Sequence, residues 1–467
     1  MSAGLDRKIH SLSPERNVEQ KFNRTRQAKE RVERNATTKE NTRKETVKDK
    51  DNTYSHTDRK DSLSSISVTE SGSSVTRASS DPPISDALLP HSFTKRHGRR
   101  YLRDSTLPYP LPCDLVELHR QTLWTTLLVQ VFGGPICTPN FQHRHPNKVL
   151  EVGCGTGYWS SICHQYFARR GHSVSFTGMD IAPLCPEFGS DGEIIWRFVQ
   201  HDLRKTPFPF GDGEFDLIMV KDISLATPST RLQELMDEYL RILRPGGSLE
   251  IWDSDHTLRM LLPHAQLPTA VGKSNGENEE QERANATGTY ILTAHTSLTT
   301  PQNQYVVDYN GWVSRALEKR KLTPIPCTLF QPMLLQEAED LHDIDGRRLA
   351  IPLGEILWER EGIGAILKDS STGQSSLLHS LTDKGQGVER KTLSSGQAAL
   401  RHTALLTIVQ KIEALEPLLR EASGKGQDEW DRWLSNMMND LMKQNGVSWG
   451  ECLEVGAWWA TKMPSRK

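Results

Sequence analysis

The run Val149-Leu150-Glu151-Val152-Gly153-Cys154-Gly155-Thr156-Gly157 constrains the fold more than any other part of this 467-residue chain. A short apolar strand passes into a turn with glycine at every second position. Trp159, Ile162 and Phe167 then follow as the apolar residues of a helix. Strand, glycine turn and helix in that order open a βαβ unit. Glycines accept positive φ and let the backbone approach a ligand closely, and the helix start offers unpaired N–H donors. The spacing is GxGxG, with the acid Glu151 two residues before the first glycine. A dinucleotide fingerprint would need glycine where Tyr158 stands. A carboxylate so close disfavours a diphosphate and suits a ligand carrying an ammonium group.

The alternation continues downstream. Ser175–Met179, Trp196–Val199, Leu217–Val220 and Leu249–Trp252 are short apolar runs separated by helical or loop segments, the rhythm of a parallel sheet with crossover helices. Asp180 closes the second strand, where a carboxylate can accept both hydroxyls of a ribose. Asp202 follows the third strand, where it can accept from an adenine amino group while Ile181 and Leu203 sandwich the ring. The competing reading, that these acids merely cap their strands, weighs less than the ligand one, and less for Asp180 than for Asp202, since a surface Asp after a strand is common. The fourth strand opens at Lys221-Asp222. A helix over Leu232–Leu243 ends at Arg244-Pro245-Gly246-Gly247 and feeds the fifth strand.

This ordered set, over roughly 145–256 with a lead-in from about 95, resembles the class I S-adenosylmethionine-dependent methyltransferases. The resemblance implies an α/β fold, a doubly wound Rossmann-like sheet of seven strands, with S-adenosyl-L-methionine as cofactor. By it Glu151, Gly153, Cys154, Gly155 and Gly157 cradle the methionine part, Asp180 takes the ribose, and Asp202, Ile181 and Leu203 surround the adenine. It places the last two strands at Pro324–Phe330 and Glu454–Thr461, the latter antiparallel, with 340–445 as a helical insertion near the acceptor face. A narrower resemblance is to fungal methyltransferases of the LaeA-like group, linked to secondary-metabolism and developmental regulation. His97-Gly98-Arg99-Arg100-Tyr101 and Tyr109-Pro110-Leu111-Pro112-Cys113-Asp114 look like that group's lead-in. The match departs at His201-Asp202, where the group has paired acids, and in the long tail from 300.

Composition locates what is not core. Only 36% of residues are apolar, and the net charge of -2 hides an asymmetry. Residues 1–100 hold 21 Lys and Arg against 14 Asp and Glu, while the remainder is acidic by nine charges. Residues 1–90 are expected to be a disordered basic and Ser-rich arm, since such composition cannot offset the entropy of ordering. The methyltransferase core spans 91–262, beginning with a buried-face helix over Leu115–Phe132. A mobile insertion is expected at 263–300, the fold continues over 301–368 with a helix at Trp312–Leu322, and 369–397 is a disordered linker. Residues 398–467 form a C-terminal helical module and final strand; within it a helix from Leu405 should end or kink at Pro417. The stripe Trp430, Trp433, Leu434, Met437, Met438, Leu441 and Met442 reads first as core packing, with substrate lining as the other reading.

No stretch is apolar enough to span a bilayer, and Met1–His10 lacks the apolar region of a secretory signal. Seven scattered cysteines without a CxxC suit a reducing, intracellular compartment, cytoplasmic or nuclear, and argue against structural zinc. The acidic balance outside the arm makes nucleic acid an unfavoured partner. No metal site is expected.

Acceptor residues should lie past the carboxyl ends of the fourth and fifth strands. Lys221, Asp222, Asp253, Asp255 and His256 stand there, His256 either as a base or as a structural histidine. Lys221-Asp222 does not match the Asn/Asp-Pro-Pro-Tyr box used for amide or base nitrogens. Arg99 and Tyr101 form either a lid or part of the basic cluster from Lys95 to Arg100, which also suits nuclear import. Two functions follow from these residues. One is methyl transfer to a small molecule or a protein side chain. The other is a regulatory scaffold acting through the N-terminal arm or the Trp-rich tail.

Overall fold

The computed structural model describes residues 92–186, 194–263, 275–293, 296–361 and 392–464. All of them belong to the unit Pro82–Lys467. The expected arm at 1–90 and most of the expected linker, 369–391, lie outside the described residues.

Two short strands, β1 (Phe93–Arg96) and β2 (Arg99–Leu102), pair as a hairpin ahead of helix α1 (Leu115–Phe132). The Asp114 side chain caps α1 through the Glu117 N–H and is held in turn by the Arg99 guanidinium, 2.5 Å away. Then β3 (Lys148–Val152), α2 (Tyr158–Ala168), β4 (Ser175–Asp180), β5 (Ile195–Gln200), β6 (Phe215–Lys221), α3 (Leu232–Ile242) and β7 (Leu243–Ser254) follow. Strands β5, β4, β3, β6 and β7 lie side by side and all run parallel. Beyond β7 the order is β12 (Glu451–Lys462), antiparallel to β7, and β11 (Leu341–Pro352), antiparallel to β12. Three short strands, β8 (Arg259–Leu261), β9 (Tyr290–Ile291) and β10 (Leu298–Thr299), extend the β12 side.

Helices cover both faces because the inner parallel strands β3, β4, β6 and β7 are buried on both. Side chains alternate along a strand. Leu217 and Met219 of β6 therefore pack into a layer with Trp159 of α2, Leu128 of α1 and Val313 of α5 (Gln304–Glu318). Ile218 and Val220 pack into the opposite layer with Met236 and Tyr239 of α3 and Phe330 of α6 (Phe330–Gln336). The sheet is thus a doubly wound Rossmann-like one of seven long strands, with the last strand in sequence antiparallel.

Several expected elements differ. Pro324–Phe330 is not a strand. Pro326–Thr328 is a 3-10 turn, tied down where the Cys327 N–H donates to Asp255 Oδ1, and the chain continues into α6. The strand of that part of the sheet is β11, inside the span expected to be helical. Residues 263–300 carry a helix, α4 (Asn275–Thr287), and the strands β9 and β10 rather than only a loop. The helix α5 begins at Gln304, eight residues ahead of Trp312, because Asn303 caps the Tyr305 and Val306 N–H groups. After α7 (Leu357–Glu361), the C-terminal helices are α8 (Ser395–Ala414), α9 (Glu416–Ser423) and α10 (Gln427–Lys443). Pro417 stands in the first turn of α9, where its missing N–H costs nothing. The Trp and Met stripe of α10 is core. Trp433 lies 4.6 Å from Trp312 and 5.2 Å from Trp430, ring centre to ring centre.

Candidate functional site

The glycine turn ends β3 with three left-handed residues, Gly153 (φ 63°), Gly155 (φ 51°) and Gly157 (φ 67°), a geometry that strains any residue with a Cβ. The Gly153 and Cys154 N–H groups both donate to the Met179 carbonyl, which pins the turn against the end of β4. The Gly155 N–H donates to Asp180 Oδ2 and the Ala182 N–H to Asp180 Oδ1. Each oxygen keeps a lone pair. Burial raises the Asp180 carboxyl above its ordinary value, opposed by these backbone donors.

Glu151 is 2% exposed, and its Oε2 accepts from both the N–H and the hydroxyl of Ser160 in the first turn of α2. Burial pushes this carboxyl up to about 7. Cys154 is buried, its thiol also driven upward by burial, and it packs beneath Gly178 of β4. Asp202 is engaged by Arg204, whose Nε and Nη2 reach its two oxygens and whose other contacts are Asp104 and Thr106. Burial opposes ionisation of Asp202, but Arg204 holds its carboxyl below the usual range.

Past the ends of β6 and β7 lies a second polar group. Asp222 adopts the left-handed region (φ 53°), rare for a residue with a side chain. Its Oδ1 accepts from the Trp124 indole N–H of α1, and its Oδ2 meets Lys221 Nζ at 2.6 Å. Burial works against charge there, yet Lys221 keeps Asp222 below its ordinary value. Behind it runs a chain of hydrogen bonds. Lys411 Nζ of α8 stands 2.9 Å from His256 Nδ1, His256 Nε2 3.0 Å from Ser224 Oγ, and Ser224 Oγ 2.7 Å from Asp253 Oδ1. Asp253, His256 and Lys411 are 1%, 4% and 6% exposed. Burial and the Asp222 charge push Asp253 up to about 7, while burial and Lys411 hold His256 well below the usual imidazole range. Burial, helped by Arg120, brings Lys411 down to about 8. Asp255 points elsewhere, toward Cys327 and Arg259.

One cavity of about 180 Å³ joins the two groups; Glu151, Gly155, Asp180, Asp222, His256 and Lys411 all line it. Ile181, Asp202 and Leu203 line it as well.

Residues 149–247, from β3 to the glycine pair that leads into the buried part of β7, match the model of the methyltransferase domain family. Residues 149–247 thus carry a methyltransferase domain. The chain is similar to the secondary metabolism regulator laeA of Aspergillus niger, 28% identical over 162 residues, or 34% of this chain and 40% of the relative. It is also similar to the ubiquinone/menaquinone biosynthesis C-methyltransferase UbiE of Azotobacter vinelandii, 28% identical over 184 residues, or 37% of this chain and 65% of that one. The chain thus spans less than two thirds of the length of either relative. A structure of a sarcosine dimethylglycine methyltransferase from Galdieria sulphuraria aligns over 74% of this chain and 86% of that one, with 13% identity and a TM-score of 0.31.

The cofactor that goes with this domain is S-adenosyl-L-methionine, and the residues present fit it. Glu151 Oε1 takes part in no hydrogen bond among the described residues, which leaves it for an ammonium group. The two unused lone pairs of Asp180 suit two ribose hydroxyls, and Ile181 and Leu203 supply apolar surface beside Asp202. Gly157 caps α2 without a side chain, so the helix start stays open. Arg99 and Tyr101 do not line the cavity; Leu102, at the end of the same hairpin, does. Lys411, Ser224, Arg120 and Trp124 belong to the site and carry no motif. Lys411 stands on an apolar helix 155 residues from His256, so nothing in the sequence joins them.

Proposed function

We propose that the chain transfers the methyl group of S-adenosyl-L-methionine to an acceptor, a small molecule or an extended side chain, that enters the cavity from the side of Asp222 and Lys411. The observation that carries this reading is the single cavity. The glycine turn and Asp180 line one part of it, and buried, ionisable side chains past the ends of β6 and β7 line another. The cofactor supplies a methyl carbon already activated by its positive sulfur. What remains for the protein is alignment of acceptor and methyl and, for an acceptor bearing a proton, somewhere for that proton to go. Glu151 and Asp180 fix the ends of the cofactor, the rigid αL turn at Asp222 fixes the wall opposite, and α1 and α8 exclude water.

Isothermal calorimetry with S-adenosyl-L-methionine, followed by transfer of its radiolabelled methyl group into a cell extract, tests the reading. Binding together with label in the small-molecule or macromolecular fraction is expected. Binding without label in either fraction overturns catalysis and leaves the regulatory scaffold. Absence of binding overturns methyl transfer and leaves only a scaffold that uses no cofactor.

A further inference from the structure

The side chain that best defines the acceptor end is Lys411. Its Nζ is buried, lines the cavity, and among the described residues has a single hydrogen-bond partner, His256 Nδ1. An ammonium carries three donors, so the other two have no protein acceptor. Unsatisfied buried donors are costly, more so for a charged group. A group built this way is completed by a ligand that accepts hydrogen bonds. The groups facing Lys411 are Arg120 and Glu117 of α1, paired to each other at 2.6 Å, Asp222 after β6, and Asp253 and His256 at and beyond the end of β7. Asp222 is already satisfied by Lys221 and Trp124, and Asp253 by Ser224. With Arg120 paired to Glu117, Lys411 is the charge left facing the cavity, which makes this end inhospitable to an amine acceptor arriving as a cation.

Resting on the reading above, we infer that the Lys411 ammonium binds the acceptor oxygen of a small phenol or enol in its ionised form and holds it there during methyl transfer. The acceptor oxygen forms its bond to the methyl carbon with its own lone pair. The carbon–sulfur pair stays on sulfur, which loses its positive charge; the oxygen has already given its proton to solvent on entering as the oxyanion, so no proton moves in this step. His256, Ser224 and Asp253 are positioning residues. Their hydrogen bonds run in one direction, with Lys411 donating to Nδ1, Nε2–H to the Ser224 hydroxyl, and that hydroxyl to Asp253. The chain fixes the His256 tautomer with Nδ1 as acceptor and so holds Lys411 Nζ at the cavity wall. Ile408, Trp124 and Leu453 supply the apolar walls for the ring or carbon skeleton.

The test uses the full chain saturated with S-adenosylhomocysteine and 4-nitrophenol as probe, whose phenolate is read by its visible absorbance. Pairing of the phenolate with the Lys411 ammonium lowers the apparent pKa of the bound probe by about one unit, or about tenfold more phenolate at a given mildly acidic pH. Lys411→Met is expected to lose that gain while keeping its affinity for S-adenosylhomocysteine. Lys411→Arg, which keeps the charge, restores part of it, and Lys411→Gln replaces Met if circular dichroism shows that Met is not tolerated. An unchanged phenolate gain in the neutral variants overturns the role of Lys411. No gain in wild-type protein that binds S-adenosylhomocysteine overturns the acceptor class. Failure to bind S-adenosylhomocysteine at all instead brings down the proposed function itself.

Discussion

The Gly155 N–H donates to Asp180 Oδ2 over 2.9 Å, binding the glycine turn after β3 to the last residue of β4. This bond makes Asp180 part of the turn as well as of the ribose contact. Asp180→Asn keeps the shape but loses the charge that strengthens both ribose hydrogen bonds, each worth about 1.5–3 kcal/mol. Calorimetry should show S-adenosyl-L-methionine binding weakened by about 10- to 100-fold. An affinity equal to wild type would remove Asp180 from the site.

Glu151 gives a pH dependence with a definite sign. In the folded, ligand-free protein its carboxyl holds a proton up to about 7, whereas the unfolded chain releases it near 4.5. Between those values the folded state binds more protons, so this group's contribution to stability falls as pH rises. Asp253 and Asp255, each pushed up to about 7 from 3.8, act in the same direction. An ammonium ligand favours ionised Glu151, so affinity for S-adenosyl-L-methionine should rise with pH through about 7 and binding should release protons. Calorimetry in buffers of different ionisation enthalpy measures that release, and Glu151→Gln should abolish it.

Glu250 is a buried strut. In the middle of β7 it accepts from the Cys137 N–H at 2.7 Å, the Thr138 N–H at 3.0 Å and the Trp252 indole at 2.7 Å, fastening the connection between α1 and β3 to the sheet. Glu250→Leu leaves three buried donors without that acceptor, each costing about 1–3 kcal/mol. Urea unfolding should report a loss of about 3 kcal/mol or more, with Glu250→Gln less damaging.

The Arg401–Glu359 pair lies fully inside the protein, with Nη1 to Oε2 at 2.7 Å and Nη2 to Oε1 at 2.9 Å, and Arg401 also donates to the Gly288 and Gly354 carbonyls. Removing one charge alone strands the other, at about 3–5 kcal/mol. Arg401→Met should therefore destabilise more than the double variant Arg401→Met, Glu359→Leu. Equal losses in a denaturation series would show that the carbonyl contacts matter more than the ion pair.

The five parallel strands were legible because each is short, apolar and bounded by turn chemistry, and because the glycine turn and the strand-end acids recur in a fixed order. Strand β11 was not. Its first half, Leu341-His342-Asp343-Ile344-Asp345-Gly346, is polar and half exposed, and only Leu349–Pro352 is continuously buried. Thr323-Pro324-Ile325-Pro326 reads as extended because prolines exclude helix before them, but the bond from Cys327 to Asp255 turns it. The cofactor end of the site lies within one segment of sequence and could be read from it. The acceptor end is assembled from α1, the β6 and β7 ends and α8, whose meeting is a tertiary fact. A lysine on an otherwise apolar helix face gives no sign of what it will face.

The position of β12 has a consequence for biosynthesis. Strand β12 lies between β7 and β11, pairing with both, yet it leaves the ribosome after every other described strand of this sheet. Until then β7 presents a long, apolar, unpaired edge, the kind of surface that recruits other chains. The nascent chain must hold that edge for about 200 residues of elongation, on the order of tens of seconds at ordinary translation rates. Protein synthesis interrupted before residue 451 would release an aggregation-prone fragment, and a holding chaperone is expected to associate with the chain over that interval.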